Sequence, residues 1–457
     1  MTEHFRSYLD PIDTYAEPIL HPEHDVLHRG LIKYGNVLME RLLGAELVSD
    51  NEDGQTWKFS RGGQTAAIDI HEPDVVIPAL IRYRDLGLFY TYTGEKEPLW
   101  EPNTTLTEIP PEVDTGHPEA DSMAMVGELL LGATQGVRQA GYTAANLLAP
   151  FRDMRSRLQW QMSTARTKEE IHAHYDVSQD IYVGPHGFLD AYVQYSAGLL
   201  PPDGEFTTLE DLQERKIQSL INMLELESAD TLLEIGTGWG GLITEIADHV
   251  PHIEITSLTL SGEQAKRARA RIKEAGHEDR VKVLERDYRD LKADGFFDRL
   301  VTVEMIEAVA WQDMDVFFDA LTNFVDPEIG RIAIQSINLD PRRFAAHKQN
   351  EKNFSNKAIF PGGILTPRGF IEDEMAKRNF ELEQKEDLGI SYAYTLREWL
   401  GNMWEHKDAL TQQWLNEGVP AEKIERFYRG MTFYLAFCEA GFRTGHLEDW
   451  QQVFTPA

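Results

Sequence analysis

The stretch FDRLVTVEMIEAVAW (297–311) carries two carboxylates, Glu304 and Glu307, where an apolar run ends, with no basic residue between them. A carboxylate can take a proton from a reacting group, provided that a rigid element delivers it to a bound molecule. A second stretch, LLEIGTGWGGL (232–242), supplies a glycine turn of the kind that lets backbone approach a ligand closely and aims a helix N-terminus at it. Such turns also serve packing alone, and the motif by itself leaves both roles open.

Two details narrow the ligand. The glycines read G-T-G-W-G-G, so the third glycine of the dinucleotide fingerprint is out of register. An acid, Glu234, stands inside the strand end, while the next strand, IEITSLTL, lacks a terminal acid and is followed by Gln264 as the nearest polar substitute. Both features favour S-adenosyl-L-methionine over NAD. No metal is expected, because His172 and His174 in IHAHYD have no acids at a recognisable ligand spacing.

The elements that must position these groups follow a rhythm. TLLEIG, IEITSLTL, VKVLER, FDRLVTVEM and RIAIQSINL are short β-branched runs, separated by the helical patterns GGLITEIADHV, GEQAKRARARIKEAG and MDVFFDALTNFV. Strands alternating with helices predict βαβ units and an α/β fold of Rossmann-like type, its parallel sheet covered on both faces. Beyond residue 340 the pattern is helical (TPRGFIEDEMAKRNF, YTLREWLGNMW, AEKIERFYRGMTFYLAFCEAGF) until a late strand-like QQVFTP.

The first hundred residues read differently. RGLIKYGNVLMERLLGAELV has the period of an amphipathic helix, and GQTWKFSRGGQTAAIDIHE that of a hairpin with a glycine turn. Residues 101–122, rich in Pro, Thr and acids, read as a linker, and a helical stretch follows from 123 to 165. Within it YTAANLLAPFRDMRSRLQW (142–160) suits either an interdomain helix or one that dips into a membrane interface. The expected division is a smaller α+β domain over 1–100, the linker, and the sheet domain with its helical lead-in over 123–457.

Composition excludes several classes. The net charge of −32 opposes nucleic acid, whose affinity comes from Lys and Arg neutralising phosphates, and opposes adsorption to anionic lipid. A single cysteine, Cys438, permits neither an internal disulfide nor a cysteine metal cluster. MTEHFRSYLDPIDTY lacks the features of a secretory leader, and no uncharged apolar run approaches the ~20 residues needed to span a bilayer. A cytoplasmic protein is expected, with peripheral contact at the inner membrane face and a homodimer left open.

The motifs HYDVSQDIY…FLDAYVQYS, LLEIGTGWGGL, SLTLSGEQ, DYRDL, FDRLVTVEMIE, IFPGG and YTLREW, in that order from about 170 to 442, resemble the cyclopropane-fatty-acid synthase family of methyltransferases. The resemblance implies a class I methyltransferase sheet with helical insertions over the substrate, and an N-terminal domain that helps to present lipid. It implies S-adenosyl-L-methionine as methyl donor, with Tyr195 and Ser196 at its methionine part and Gly236 and Gly238 behind it. Leu260 and Gln264 would lie on the ribose side, and Asp287, Tyr288 and Arg289 near the adenine. The implied substrate is an unsaturated acyl chain of a phospholipid, whose double bond takes the methyl and closes to a cyclopropane. Methyl branching, or methylation of a small N, O, S or C nucleophile, is the alternative.

That chemistry needs groups that stabilise a cation and a base. Tyr392, Tyr394 and Trp399 are candidates for the first, with core packing as their plainer role. The resemblance implies bicarbonate for the second, held at the positions of Ala197, Gln335, Ile337, Tyr392 and Glu307, or Glu307 acting as base itself. Glu304 is expected at the surface or behind the site, and the plain alternative for Glu307 is a helix-start carboxylate. The chain departs from the family at three positions. Ala197 stands where the family has Cys, Gln335 where it has His, and Ala308 where a His usually follows the glutamate. A neutral amide holds an anion less strongly than a cationic imidazole.

Overall fold

The computed structural model describes residues 45–77, 98–140, 179–340 and 364–457, apart from short gaps, together with a few positions outside these ranges. The 142–160 segment, His172, His174 and the IFPGG motif lie outside the described residues. The chain divides into two compact units, 1–167 with 352–359 and 403–444, and 168–351 with 360–402 and 445–457. The units therefore do not follow the expected boundary at 123, since residues 403–444 group with the N-terminal part of the chain.

In the first unit, strands β1 (Ala45–Asn51), β2 (Gly54–Arg61), β3 (Gln64–Ile70) and β4 (Trp100–Pro102) form an antiparallel sheet in that order. The expected hairpin is there, with Arg61 opposite Gln64 across a two-residue turn whose second residue, Gly63, has φ +89°. Two expectations are corrected. The last four residues of the proposed amphipathic helix, AELV, belong to β1, because Trp57 and Phe59 of β2 offer them a buried pairing partner. The start of the proposed linker is a sheet edge: Thr107 Oγ1 accepts from the Ala67 N–H at 3.1 Å, and Asn103 Nδ2 donates to Asp69 at 2.8 Å. Helix α1 (Pro118–Ala140) packs on this sheet.

The second unit holds the larger sheet. Its strands are β5 (Thr231–Ile235), β6 (Glu254–Thr259), β7 (Val281–Glu285), β8 (Arg299–Val303), β9 (Arg331–Leu339), β10 (Thr366–Pro367), β11 (Phe380–Asp387) and β12 (Leu447–Pro456). The order is β11-β12-β9-β8-β5-β6-β7, with β10 paired to β9. Strands β5 to β9 are parallel, as their sequence rhythm predicts, and β12 enters antiparallel beside β9. β11 was not foreseen. FELEQKED is mostly exposed and charged, as suits an edge strand, so it lacks the apolar alternation that marks a strand in sequence.

Helices cover both faces. α2 (Leu209–Met223), α3 (Gly241–His249) and α4 (Gly262–Glu274) share one core with Leu232, Ile255, Val281 and Val301. α5 (Met314–Phe324) and α6 (Phe370–Ala376) share the other with Leu233, Leu300, Ile332 and Ile334. Adjacent Leu232 and Leu233 thus face opposite cores, the period-two geometry of a strand buried on both sides. α2 starts at Thr208, whose hydroxyl accepts from the Asp211 N–H at 3.1 Å, and α4 starts at Ser261, which caps Gln264 at 3.2 Å. α7 (Gly389–Glu405) follows β11, and α8 (Lys407–Asn416) and α9 (Ala421–Arg443) complete the helices among the described residues. α9 packs along α1 in the first unit. No helix among the described residues is long and apolar enough to cross a membrane.

The sheet order reverses at β5, whose neighbours β6 and β8 lead away in opposite directions. Ligands bind at the carboxyl ends of the strands at such a point. The glycine turn leaves β5 there, and Glu304 leaves β8. Gly236 (φ +108°) and Gly238 (φ +51°) shape the turn, and both the Gly236 and Thr237 N–H groups donate to the Leu258 carbonyl of β6. The out-of-register glycines are packing residues. A Cβ on Gly240 would meet Ala268 of α4 at 2.8 Å, and one on Gly241 would fall 1.6 Å from the Tyr192 carbonyl. Gly241→Ala is therefore expected to destabilise the fold by at least the ~1–3 kcal/mol typical of overpacking, measured as a lowered midpoint in urea.

Candidate active site

Glu304 is not at the surface. It is half-buried, its carboxylate turned inward among donors from three other elements. One of its oxygens, Oε1, accepts from the Ala197 N–H at 2.9 Å and from Gln335 Nε2 at 3.0 Å, while Oε2 accepts from the Tyr392 hydroxyl at 2.6 Å. Its backbone has φ +47°, the left-handed region that a non-glycine residue occupies only at a cost. Of the two places expected for Glu304, this corrects the surface one. The sequence shows an acid after a strand, and only the backbone turn sends its side chain inward.

Around it stand further ionisable groups. Glu307, in the short turn after β8, accepts from the Ile337 N–H at 2.6 Å through Oε1, and its Oε2 has no hydrogen-bond partner among the described residues. Asp449 of β12 is fully buried, and Gln335 Nε2 donates to it at 3.0 Å. Gln451, opposite Gln335 in the β12–β9 register, donates to the Gln335 amide oxygen at 3.1 Å. Lys216, on the buried face of α2, gives its ammonium to Gln194 at 2.9 Å and Ser196 at 2.8 Å.

The environments separate these groups. Burial raises Glu304 to about 6, opposed by hydrogen bonds from Tyr392 and Ala197 and by the charge of Lys216. Burial, with the neighbouring Glu304 charge, raises Glu307 to about 8. Burial and the two glutamates push Asp449 well above the usual carboxylate range. Lys216 is lowered to about 8 by burial, and Asp190, whose charge opposes that shift, is itself raised to about 7 by burial. At neutral pH Glu304 is ionised while Glu307 is mostly protonated. Paired groups driven apart in this way mark acid and base roles.

Aromatic rings adjoin the carboxylates. Tyr392 meets Trp399 edge-on at 6.2 Å, Trp399 lies 5.2 Å from Tyr195, and Tyr182 stacks on Trp239 of the glycine turn at 5.5 Å. Tyr392 and Trp399 are seven apart on α7 and share a face. Tyr394, two positions from Tyr392, lies off that face and is less buried.

The other expected site residues stand in the 194–197 loop and at or near the carboxyl ends of β5, β6 and β7. Ser196 is committed to Lys216 through its hydroxyl, and its carbonyl accepts from Gln213 at 3.0 Å. Glu234 is turned to Ser257 of β6, and burial raises it to about 8. Leu260 is half-buried at the end of β6, and Gln264 in the first turn of α4 accepts from Thr259 at 2.9 Å. After β7, buried Asp287 is gripped by Arg289 at 2.7 and 2.9 Å, and Tyr288 rests edge-on against Phe317.

These residues fit an S-adenosyl-L-methionine. An added Cβ at Gly238 would meet nothing within 4 Å, so the turn has open space before it, whereas one at Gly236 would lie 3.3 Å from the Met305 side chain. Glu234 and Asp287 stand at the carboxyl ends of β5 and β7, on either side of β6, where the sheet order reverses. Missed by sequence reasoning were Lys216, Gln194 and Asp449. The signal for Lys216 was present, because it falls on the apolar stripe of LEDLQERKIQSLINM with Leu212 and Leu220.

A sequence profile of the mycolic acid cyclopropane synthetase family matches residues 162–452. The chain belongs to that family. A tuberculostearic acid methyltransferase of Mycobacterium tuberculosis is 36% identical over 295 residues, 63% of this chain and 65% of the relative. The cyclopropane-fatty-acyl-phospholipid synthase of Escherichia coli is 29% identical over 62% of this chain and 66% of its own. The chain thus spans just under two thirds of these relatives' length. The structure of a cyclopropane synthase from Mycobacterium tuberculosis superposes with a TM-score of 0.54 at 27% identity, covering 63% of this chain and 97% of that one. The fold is that of the class I S-adenosylmethionine-dependent methyltransferases.

The raised carboxyls make a stability prediction. Glu307 in the folded state keeps a proton that the unfolded chain releases near 4.5, so its contribution turns against the fold as pH rises from there to about 8. Glu307→Gln, which keeps an acceptor for the Ile337 N–H, is expected to make the urea midpoint fall less steeply between pH 5 and 8 than in the wild type.

Proposed function

We propose that this protein transfers a methyl group from S-adenosyl-L-methionine to the double bond of an unsaturated acyl chain, with a phospholipid as carrier. The observation that carries the reading is one buried patch beside the glycine turn, in which carboxylates adjoin the rings of Tyr392, Trp399 and Tyr195. Methylation of an alkene asks for that pair of features, a wall that tolerates positive charge and a proton acceptor.

When bound, the cofactor supplies an electrophilic methyl, which the alkene π pair takes as the carbon–sulfur bond breaks. The chain's own residues do the rest. Asp287, Gln264 and the turn at Gly236 and Gly238 bind and orient the donor. Tyr392 and Trp399 face the cation left on the acyl carbon, an attraction of about 0.5–2 kcal/mol per ring. A buried carboxylate then removes a proton. Loss from the transferred methyl, with its C–H pair forming the new C–C bond, closes a cyclopropane.

A second reading shares the site and ends in a methyl-branched chain that keeps a double bond, the proton being lost from a chain carbon beside the cation instead of from the new methyl. The absence of the family's histidine at Gln335 and the 36% identical relative, named for tuberculostearic acid, favour it. A small soluble substrate finds less support, because the rings around the carboxylates suit a carbon cation better than a polar nucleophile.

Incubation with isotope-labelled methyl donor and monounsaturated phospholipid, followed by mass spectrometry and NMR of the acyl chains, tests the proposal. One added methylene with no olefinic signal is the expected product, and an added methyl group without a ring selects the second reading. Label that never enters lipid overturns both. Trp399→Leu is expected to lower kcat about 2- to 30-fold, the kinetic equivalent of one lost cation–π contact, with KM for the donor little changed.

A further inference from the structure

The donors expected to hold bicarbonate are already occupied by the protein. Ala197 has one N–H, and it goes to Glu304. Tyr392 has one hydroxyl proton, and it goes to the other oxygen of Glu304. The two hydrogens of the Gln335 amide go to Glu304 and Asp449, and its oxygen is taken by Gln451. The Ile337 N–H goes to Glu307. A planar three-atom O–C–O group accepting from an N–H, an amide and a phenol is what a bound bicarbonate would present, and the Glu304 carboxylate presents it here. Bicarbonate does not fit this pocket as it stands.

We infer that Glu304 is a built-in replacement for a diffusible oxyanion, serving as the base of the reaction and making this enzyme independent of bicarbonate. The inference rests on the acyl-methylation reading and specifies its proton acceptor. Three further observations support it. The backbone at Glu304 is held at φ +47°, a strained conformation for glutamate that glycine would adopt freely, and such strain persists where a side chain must be placed. The next residue, Met305, lies beside the glycine turn, where a Cβ added to Gly236 would come within 3.3 Å of it, so the carboxylate is one residue from that turn. Of Glu304 and Glu307, only Glu304 is ionised near neutrality, which leaves Glu307 as a proton-bearing neighbour rather than a base.

The step balances without an outside reactant. The cationic acyl product loses one proton to Glu304, the electrons of that C–H bond form the ring bond, and the carboxyl returns the proton to solvent before the next turnover. Lys216, Glu307, Tyr392 and Asp449 are the ionisable groups that set its charge. Gln335 and Asp449 are positioning residues, acting through the amide that fixes the orientation of Glu304.

The backbone conformation supplies a variant that should fold. Glu304→Gly relieves the strained φ and empties the pocket while leaving the Ala197, Gln335 and Tyr392 donors in place. In buffer freed of carbon dioxide the wild type is expected to methylate lipid at its full rate, whereas Glu304→Gly loses about 10²–10⁴-fold, the usual worth of a general base. Millimolar bicarbonate is expected to restore part of that loss in the variant and to change nothing in the wild type. The second readout needs no turnover: NMR of [13C]bicarbonate should show bound ion with Glu304→Gly and none with the wild type. Bicarbonate binding to the wild type, wild-type activity that falls when bicarbonate is removed, or a Glu304→Gly variant that neither binds the ion nor slows would each overturn the inference. If the wild type methylates no lipid, the functional reading fails, and the NMR comparison still decides whether Glu304 fills an anion pocket.

Discussion

Burying Glu304, Glu307 and Asp449 beside one another at the end of a sheet is possible only if donors and protons meet their charge. An isolated carboxylate in a protein interior costs several kcal/mol, and adjacent like charges add to that cost. Here the cost is met in two ways. Glu304 receives hydrogen bonds from a backbone amide, a phenol and a side-chain amide, and it feels the buried ammonium of Lys216. Glu307 and Asp449 avoid the charge by keeping their protons.

That arrangement explains why distant segments converge on the same place. The loop at 194–197 supplies a backbone donor and is tied to α2 through Lys216. β12 enters antiparallel next to β9, setting Asp449 and Gln451 against Ile337 and Gln335. α7 brings Tyr392 and Trp399 on one face. Remove any one, and a buried polar group loses its partner, which is the expensive failure in a protein interior. The site is therefore a cooperative feature of the second unit rather than a set of separable residues.

Much of the frame was legible beforehand. Five parallel strands and the three helices between them stand where β-branched runs and 3.6-residue periods indicate, because parallel strands buried on both faces must be apolar along their whole length. The G-T-G-W-G-G run stands in the turn after β5, as its position after an apolar run indicates, and Gly240 and Gly241 serve packing against Ala268 and Tyr192. The charged edge strand β11 was hidden, since an edge in contact with water carries no apolar alternation. The linker reading failed at the start of its 101–122 range because Asn103 and Thr107, side chains that also favour turns, bond to β3 there.

By itself, the sequence determined the sheet class, the place of the glycine turn and the family, all of which rest on local periodicity and on motifs in order along the chain. Tertiary structure alone decided which glutamate is the buried anion and what holds it. Glu304 and Glu307 are equivalent in a string of letters, being acids after a strand. A left-handed backbone at one of them, and donors drawn from residues 107 positions upstream and 88 downstream, surround one carboxylate with three hydrogen bonds and leave the other with a single backbone donor. Such a difference arises from burial and from partners remote in the chain, and neither is encoded by the residues on either side.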